Sequence, residues 1–365
     1  MIPTRILVCN GGSSSLKLSV LGQDDALLAD REVPAQEADR SQEELARELA
    51  TMGPAEVVGH RVVQGGSKFT KAVVIDDGVL AGLAELVSLD PLHMPQALRG
   101  IGAARMAFPE AVQVACFDTA FHARMPEAAR TYALPAAWRR RWGLRRHGFH
   151  GLSHSYSWRT ASRILGSEDL RMVTCHLGSG SSLAAIRHGR SVDTTMGFTP
   201  LEGIPMATRS GSVDPGLLLW LEQEKGISAD ELSDALENRS GMLGLARTKD
   251  MREVVERAAE GDPAASLAQG VFLHHLVQGI ASMTASLGGL DALVFTGGIG
   301  ENSEAIRRLA VGRLGFLGLA IDERRNQEPP DGARIELEGR SSPILMVRAR
   351  EDLEVATQAR RLLAG

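Results

Sequence analysis

The sequence predicts an α/β protein of two domains, and three observations lead to this expectation. Its 365 residues are more than one hydrophobic core usually organises. Short apolar runs alternate with turn signals and helical patterns along the whole chain, which is typical of α/β folds. A seven-residue segment near the start also recurs 167 residues later, which indicates a duplicated domain. We therefore expect two related domains with a cleft between them.

Five short apolar runs are bounded by turn signals and predict strands. They are RILVC (5–9), AEVVGHRVV (55–63), AVQVACF (111–117), RMVTCHL (171–177) and DALVFTG (291–297). Two longer stretches, 263–287 and 351–363, predict helices. The second is too polar to form a core element alone, so we expect it to pack back onto another part of the chain.

The internal repeat consists of two short glycine- and serine-rich turns. NGGSSSL (10–16) and LGSGSSL (177–183) share four identical positions, each between two β-type runs. Glycine lets a backbone approach a ligand closely, and consecutive N–H groups with serine hydroxyls can donate to phosphate oxygens. The alternative is two plain β-hairpins with small-residue turns.

A third glycine-rich turn, TGGIGEN (296–302), follows a predicted strand and precedes a helical pattern. It can place Gly298 and Gly300 at a helix N-terminus, where an anion binds favourably. It is not a dinucleotide-binding fingerprint, because position 303 is Ser and not the third Gly.

Composition argues against several classes of protein. The net charge is -5 and aromatic residues make up 4%, so neither a basic footprint nor a base-stacking surface for nucleic acid is expected. The five lysines (Lys17, Lys68, Lys71, Lys225, Lys249) never occur in a Gly-Lys-Ser/Thr string, so a P-loop is absent.

The cysteines and the lack of long apolar stretches predict a cytoplasmic protein. Cys9, Cys116 and Cys175 each lie in a predicted buried strand, and an odd number cannot form a closed disulfide set. No apolar stretch is long enough to span a membrane, and the first residues lack the features of a signal peptide. We expect no membrane partner.

Short polar strings lie between and after the repeats, next to predicted strand ends. They are GHRVVQGG (59–66), PLHMP (91–95), CFDTAFH (116–122), HGFHGLSH (147–154) and FTPLEGIPMATRSGSVDPG (198–216). Loops of this kind carry the functional sites of α/β proteins. His147, His150 and His154 have a spacing that could bind zinc, but the glycines between them oppose a rigid helix and no cysteine cluster supplies a fourth ligand.

Taken together, these strings resemble those of acetate kinases. NGGSSSLK, GHRVVQGG, FDTAFH, GFHGLSH, CHLGSGSS, MGFTPLEG, TRSGS and TGGIGEN carry the resemblance, which runs from Ile6 to about Ala356. The resemblance implies a duplicated actin-like ATPase (ribonuclease H-like) fold with ATP between the halves. It also implies reversible, Mg²⁺-dependent transfer of the γ-phosphoryl group of ATP to acetate, giving acetyl phosphate and ADP, with Mn²⁺ as a possible substitute.

The resemblance assigns catalytic roles to three residues, Asp118, His150 and Arg209. Acetate is already ionised near neutral pH, so no general base is needed, and positive charge must bring two anions together. His150 and Arg209 match the residues at the transferring phosphoryl group, whereas Arg61 matches the arginine that binds the carboxylate. We expect Asp118 to orient Arg61 or a magnesium-bound water.

Metal and nucleotide contacts follow from the same resemblance. Asn10 and Glu351 match the magnesium-associated positions, although the neighbouring Asn of the family is Arg350 here. The expected nucleotide contacts are Lys17, His176, Leu177, Gly178, Ser179, Gly180, Asp250, Met251, Arg252, Gly298, Ile299, Gly300, Glu301 and Asn302. Ser179 stands where the family usually has Asn, and Met251 where it has Phe, which should alter nucleotide affinity more than the reaction.

A small apolar pocket would select the acid, and the residues matched to it are Val63, Leu92, Phe149 and Pro200. One methylene changes binding in such a pocket only modestly, so propionate or another short acid is the alternative substrate. Two departures lie nearby: Gln64 replaces the usual His, and Met94 replaces an Asn. Of these, Met94 is expected to affect pocket size more.

The expected domains are an N-terminal actin-like domain on the acyl side, residues 1–146 with the helix 351–365, and a C-terminal one on the nucleotide side, residues 147–350. The family implies a homodimer. An ATP-binding regulatory protein on the same fold is the competing class, but it would lack the substrate-side arginines and histidine that are present here.

Overall fold

The computed structural model describes residues 3–12, 15–34, 41–91 and 93–364. The chain forms two compact units. The first consists of Met1–Ala123, Phe149–Tyr156 and Arg350–Gly365, and the second of Arg124–Gly148 and Ser157–Ala349. The domain boundary expected between residues 146 and 147 stays a prediction.

The strands are numbered in chain order over the described ranges. They are β1 (Ile6–Gly11), β2 (Ser15–Leu21), β3 (Leu27–Pro34), β4 (Val57–Val62), β5 (Val73–Val74), β6 (Val112–Phe117), β7 (Arg171–Leu177), β8 (Ser181–Arg187), β9 (Arg190–Thr194), β10 (Ala292–Thr296), β11 (Ala333–Arg334) and β12 (Ile344–Met346). Each of the five predicted strands is present within a few residues of its expected bounds.

The α-helices of the same ranges are α1 (Gln42–Ala50), α2 (Asp77–Ala84), α3 (Met94–Ala107), α4 (Glu127–Arg130), α5 (Ala136–Trp142), α6 (Gly151–Leu165), α7 (Pro215–Lys225), α8 (Ala229–Asn238), α9 (Gly241–Ala246), α10 (Met251–Ala259), α11 (Pro263–Leu287), α12 (Gly297–Asn302), α13 (Glu304–Gly312), α14 (Glu323–Gln327) and α15 (Glu351–Leu363). Short 3-10 turns cover Glu85–Leu89, Ala120–His122 and Gly315–Leu317. None of these helices is both long and apolar enough to cross a membrane.

The two sheets have the same topology, which confirms the predicted duplication. The first has the strand order β3-β2-β1-β4-β6-β5 and the second β9-β8-β7-β10-β12-β11. In each sheet an antiparallel meander leads to two parallel neighbours and ends in a short antiparallel edge strand. Adding six to each strand number of the first sheet gives the order of the second.

Helices cover both faces of the first sheet. On one face, Leu7 and Val58 pack with Leu45 and Ala103, from α1 and α3. On the other face, α15 places Val355 and neighbouring alanines against the strands. The C-terminal helix therefore packs back onto the sheet, as its polar sequence predicts.

The second sheet is covered by α11, whose bounds match the predicted 263–287. Asp262 caps its N-terminus, Pro263 occupies the first turn, and Gly288 ends it with a left-handed backbone. Its buried face includes Leu276 and Ile280, which belong to the core of this unit.

Candidate active site

Four polar side chains meet where β1, β4 and β6 end. Asn10 lies in β1, Arg61 lies in β4, and Asp118 follows β6 directly. Because these three strands are parallel neighbours, their carboxyl ends share one edge of the sheet. Glu351, the first residue of α15, joins them.

The guanidinium of Arg61 is the centre of this group. Its Nε and Nη2 donate to Oδ2 of Asp118 at 3.0 and 2.7 Å. Its Nη1 donates to Oδ1 of Asn10 at 3.2 Å and to the carbonyl oxygen of Gly11 at 3.0 Å. Asn10 in turn donates through Nδ2 to Oε2 of Glu351 at 2.8 Å. Sequence reasoning expected Asp118 to orient either Arg61 or a water, and the geometry has Asp118 holding Arg61.

Burial and charge set the protonation states of this pair. Burial acts to lower the pKa of Arg61, but Asp118 and Glu351 outweigh it and hold that pKa above its ordinary value. Burial raises the pKa of Asp118, and Arg61 acts against that rise. Oδ1 of Asp118 is buried and has no hydrogen-bond partner among the described residues. The group thus holds the positive charge of Arg61 beside two carboxyl groups, those of Asp118 and Glu351.

His150 reaches this region through an unusual backbone. Its φ is +53°, in the left-handed region that favours glycine, and it immediately precedes α6. The N–H of Gly151 donates to the carbonyl oxygen of Asp118 at 3.0 Å. A Cβ at Gly151 would lie only 2.1 Å from that oxygen, so the approach requires glycine. The backbone of the string GFHG (148–151) therefore packs directly against the backbone of Asp118.

The other described residues predicted for the site in the first unit differ in exposure. Val63 and Phe149 are buried. Lys17 is exposed on β2, in register with Asn10 of β1. Leu92, predicted for the acyl pocket, lies outside the described residues.

The two departures from the family pattern are both buried. Gln64 accepts from the N–H of Gly66 through Oε1 at 2.9 Å, and its Nε2 has no partner in the described part of the chain. Met94 begins α3 and packs in a cluster with Phe69 and Phe117. Its side chain belongs to the core, so any effect on the acyl end is indirect.

Two glycine-rich turns come together in the second unit. The turn 178–180 joins β7 to β8, and α12 begins at Gly297 directly after β10. A Cβ at Gly178 would lie 3.9 Å from the nitrogen of Gly298. Gly297 has a φ of +77°, and a Cβ there would lie 2.8 Å from the carbonyl oxygen of Leu177. The predicted helix start at the third glycine-rich turn, 296–302, is confirmed, and glycine permits the close approach of this turn to the turn 178–180.

Arg209 lies in a loop that contacts the same turn. The N–H of Ala207 donates to the carbonyl oxygen of Ser179 at 3.2 Å. Nη1 of Arg209 donates to the carbonyl oxygen of Pro200 at 3.3 Å. The structure thus brings Arg209 together with Pro200, one of the residues expected in the acyl pocket.

The residues expected on the nucleotide side have differing environments. Asp250 caps α10 and forms an exposed ion pair of 2.7 Å with Arg252, whereas Met251 is buried in the core. Oε1 of Glu301 accepts from the N–H groups of Gly297 and Ala349 at 2.9 and 2.8 Å. Asn302 donates to the carbonyl oxygen of Gly298 at 2.9 Å. The others lie in β7 or the two turns: His176, Leu177, Gly180, Ile299 and Gly300.

Sequence reasoning missed Arg307, which is fully buried. Its Nη1 donates to the carbonyl oxygens of Gly300 and Glu301 at 2.9 and 2.7 Å, and its Nε and Nη2 donate to Asn326. It therefore holds the end of α12, at the third glycine-rich turn. No local signal marks it, because an arginine on an amphipathic helix usually points to solvent.

Comparison with known proteins identifies the family of this chain. The sequence profile of the acetokinase family matches residues 42–357. The chain belongs to the acetokinase family.

Relatives in this family cover the whole chain. An acetate kinase of Carboxydothermus hydrogenoformans is 38% identical over 396 residues, which cover 99% of this chain and 100% of the relative. An acetate kinase of Deinococcus radiodurans is 43% identical over 392 residues, 98% of each chain. Among solved structures, acetate kinase from Porphyromonas gingivalis superposes with a TM-score of 0.90 at 32% identity, covering 99% of this chain and 100% of that one. A propionate kinase from Francisella tularensis gives 0.90 at 34% identity, with coverage of 97% and 98%.

The magnesium expected for an acetokinase can be compared with the side chains present. No group of three His, Cys, Asp or Glu residues suited to a metal occurs within the described ranges. Asn10, Glu351 and the unpartnered Oδ1 of Asp118 nevertheless offer hard oxygen atoms at one edge of the sheet. Mg²⁺ commonly binds one or two carboxylates and keeps several waters, so this donor set fits it.

Proposed function

We propose that this protein transfers the γ-phosphoryl group of ATP to acetate, forming acetyl phosphate and ADP, and that it catalyses the reverse reaction. Membership of the acetokinase family and full-length relatives named acetate kinases support this. The observation that carries the proposal is the arginine held by Asp118 and Asn10 at the strand ends. Such a group binds a small carboxylate and does not act as a base.

Arg61 provides the positive charge that binds the acid. A guanidinium has five N–H groups, and four hydrogen bonds to Asp118, Asn10 and Gly11 hold it in place. The acid would accept a hydrogen bond from the donor that remains. Because Asp118 fixes the plane of the guanidinium, the acid binds without reordering a flexible side chain.

The reaction makes one P–O bond and breaks another. An oxygen of the ionised acid attacks the γ-phosphorus of ATP in line, and the bridging oxygen leaves with ADP. The transition state spreads negative charge over the equatorial oxygens. Arg209 and His150 would donate to those oxygens, and no proton needs to be removed from the acid.

The glycine-rich turns of the second unit would bind the phosphates of ATP. Gly178 and Gly298 lie close together and lack side chains that would obstruct a phosphate. Asn10, Glu351 and Asp118 would hold Mg²⁺ and its waters. When bound, Mg²⁺ neutralises charge on the phosphate oxygens. Asp250, Arg252 and Asn302 are proposed contacts to the rest of the nucleotide.

The experiment is the formation of acetyl hydroxamate from ATP, Mg²⁺, acetate and hydroxylamine. Wild type is expected to turn over, and Arg209→Ala to lose about 10³-fold in kcat, the low end for an arginine at a transferring phosphoryl group. Arg313→Ala, on an exposed surface of the same unit, is the control. Nucleotide binding without turnover of any acid would favour the regulatory alternative. An unchanged rate for Arg209→Ala would remove that assignment.

Propionate is the second candidate substrate. The propionate kinase of Francisella tularensis superposes as well as the acetate kinases do, with a TM-score of 0.90. Comparing kcat/KM for acetate and propionate decides between them.

The proposal also includes a homodimer in the cytoplasm. Cys9, Cys116 and Cys175 are all free and buried, which is consistent with a reducing compartment. Light scattering of the purified protein tests the dimer, and fractionation of cells tests the compartment.

A further inference from the structure

The loop 195–202 of the second unit follows β9 and includes Pro200, whose carbonyl oxygen accepts from Nη1 of Arg209 at 3.3 Å. The position of this carbonyl therefore affects where the guanidinium of Arg209 lies. Arg209 is the proposed donor to the transferring phosphoryl group, and misplacing such a group by about 1 Å can cost about 10²-fold in rate. Residues that hold the loop can thus act on the reaction without touching a substrate.

Tyr132 and Arg146 hold the loop on both sides of Pro200. The hydroxyl of Tyr132 accepts from the N–H of Phe198 at 2.9 Å and donates to Oε2 of Glu202 at 2.6 Å. Nη2 of Arg146 donates to Oε1 of Glu202 at 2.6 Å. In the chain, Pro200 lies midway between Phe198 and Glu202, so the residues on either side of it are fixed by side chains from outside the loop.

Arg146 also holds the start of the loop. Its Nη1 donates to the carbonyl oxygens of Thr195 and Met196, at 3.0 Å each. Its guanidinium lies over the ring of Tyr132, 5.5 Å from the ring centre. One guanidinium therefore links the first residues of the loop to Glu202 at its end. We call Tyr132, Arg146 and Glu202 the loop network.

The loop packs tightly around this network. A Cβ at Gly197 would lie 1.9 Å from Oε2 of Glu202 and 2.4 Å from the hydroxyl oxygen of Tyr132. Gly197 does not have a left-handed backbone, so the close approach of these side chains explains the glycine. Burial and the hydrogen bond to Glu202 raise the pKa of Tyr132, so its hydroxyl keeps the proton that it donates.

Stability alone is a weak reason for such a network. Arg146 and Glu202 are both partly exposed, and ion pairs of this kind contribute little to the free energy of unfolding. Their hydrogen bonds instead fix the loop in one position, with both oxygens of the carboxylate and two nitrogens of the guanidinium in use.

We infer that the loop network is a positioning device for phosphoryl transfer, which acts through the carbonyl oxygen of Pro200 on the guanidinium of Arg209. The inference rests on the proposed function, because it needs Arg209 at the transferring phosphoryl group. An interaction made in the transition state contributes to kcat. Loosening the loop should therefore lower kcat, and only as long as Arg209 is present.

The test is a double-mutant cycle between Tyr132 and Arg209, with kcat measured by hydroxamate formation at saturating acetate, ATP and Mg²⁺. Tyr132→Phe removes the hydroxyl that joins Phe198 to Glu202 and should lower kcat about tenfold. In the Arg209→Ala background the same substitution should change kcat less than about twofold, because the group that the loop positions is absent. Arg209→Lys, which also lacks the guanidinium, serves as the background if the rate of Arg209→Ala is below detection.

Thr284→Val is the matched control. It removes a buried hydroxyl of the same unit, whose hydrogen bond of 2.8 Å to the carbonyl oxygen of Ile280 is internal to α11. This control should change kcat by the same factor in both backgrounds. Glu202→Gln keeps the shape of the side chain and loses the charge that accepts from Tyr132 and Arg146. It replaces Tyr132→Phe if circular dichroism shows that variant unfolded.

Two results would overturn the inference and leave the proposed function standing. One is a wild-type kcat in the Tyr132→Phe protein. The other is an equal fold-change of kcat with and without Arg209, which is the result expected of a purely structural role. Failure of wild type to phosphorylate any acid would instead reject the proposed function, and full activity of Arg209→Ala would reject the role of Arg209; the inference would fall with either.

Discussion

Substituting Asp118 by asparagine tests the role of the Arg61 pair most directly. The asparagine side chain has the same shape but no negative charge. In the wild type, Oδ2 of the charged carboxylate accepts from Nε and Nη2 of Arg61. Asp118 is fully buried, and Glu351 is the nearest other carboxylate to Arg61 in the described ranges, with Oε2 at 3.7 Å from Nη1. In the variant, Arg61 is still buried and charged, and the more distant carboxylate of Glu351 is left to balance its charge.

The expected magnitudes follow from this geometry. Removing one partner of a buried ion pair costs about 3–5 kcal/mol, and the remaining contact to Glu351 favours the low end. A loss of about 3 kcal/mol should lower Tm by about 6–12 °C for a unit of this size. The same free energy, lost from the positioning of Arg61, corresponds to about 10²-fold in kcat/KM for the acid.

The assay is acyl hydroxamate formation with acid and ATP varied separately. Asp118→Asn should lower kcat/KM for the acid about 10²-fold at saturating ATP and Mg²⁺. Asp291→Asn is the matched control, because Asp291 pairs with Arg171 at 2.7 Å in a half-exposed position of the second unit. Exposed pairs of this kind contribute at most about 1 kcal/mol. A folded Asp118→Asn protein with wild-type kinetics for the acid would refute the reasoning.

Three further predictions follow from particular contacts. Gly151→Ala should abolish activity and lower Tm, because the added Cβ would lie 2.1 Å from the carbonyl oxygen of Asp118. Thermal unfolding and the hydroxamate assay measure these two effects, and a wild-type Tm would contradict the prediction. Arg307→Met should raise the KM for ATP about tenfold and leave the KM for the acid unchanged, because carbonyl oxygens at the third glycine-rich turn lose their hydrogen-bond donor. The control Arg308→Met, at the neighbouring position, should change neither KM. His60→Asn should make stability less dependent on pH between about 6.5 and 4. In that range the unfolded histidine binds a proton and the buried one, with a pKa lowered to about 4, does not, so wild type loses stability as pH falls; equal slopes of ΔG against pH in chemical unfolding would contradict this.

Local signals account for much of the fold. The bounds of α11 could be predicted because Asp262, Pro263 and Gly288 are capping and terminating residues in one segment. The duplication could be predicted because NGGSSSL (10–16) and LGSGSSL (177–183) share four identical positions between β-type runs. These features depend on residues close together in sequence, which is why periodicity and composition detect them.

Features that depend on distant partners were not predicted. Arg307 is buried because carbonyls of α12 and Asn326 of α14 accept from it. Met94 was expected to affect the size of the acyl pocket because it replaces an Asn inside the string PLHMP, and its side chain packs in the core at the first residue of α3. In both cases tertiary packing decides where the side chain lies, and the local sequence carries no sign of it.

The duplication also relates the strand ends of the first sheet to those of the second. Cys9 of β1 pairs with His60, and the residue 167 positions later, His176 of β7, pairs with Thr296. Arg61 is the residue after His60, and Gly297 is the residue after Thr296. By this register Arg61 and Gly297 therefore occupy equivalent positions. A small monoanion offers few atoms, so a charged side chain must reach it, whereas a polyphosphate is long enough to be bound by backbone N–H groups that only glycine leaves accessible. One strand end thus carries arginine and its duplicate carries glycine, which is the division that the proposed acid site and the proposed phosphate site require.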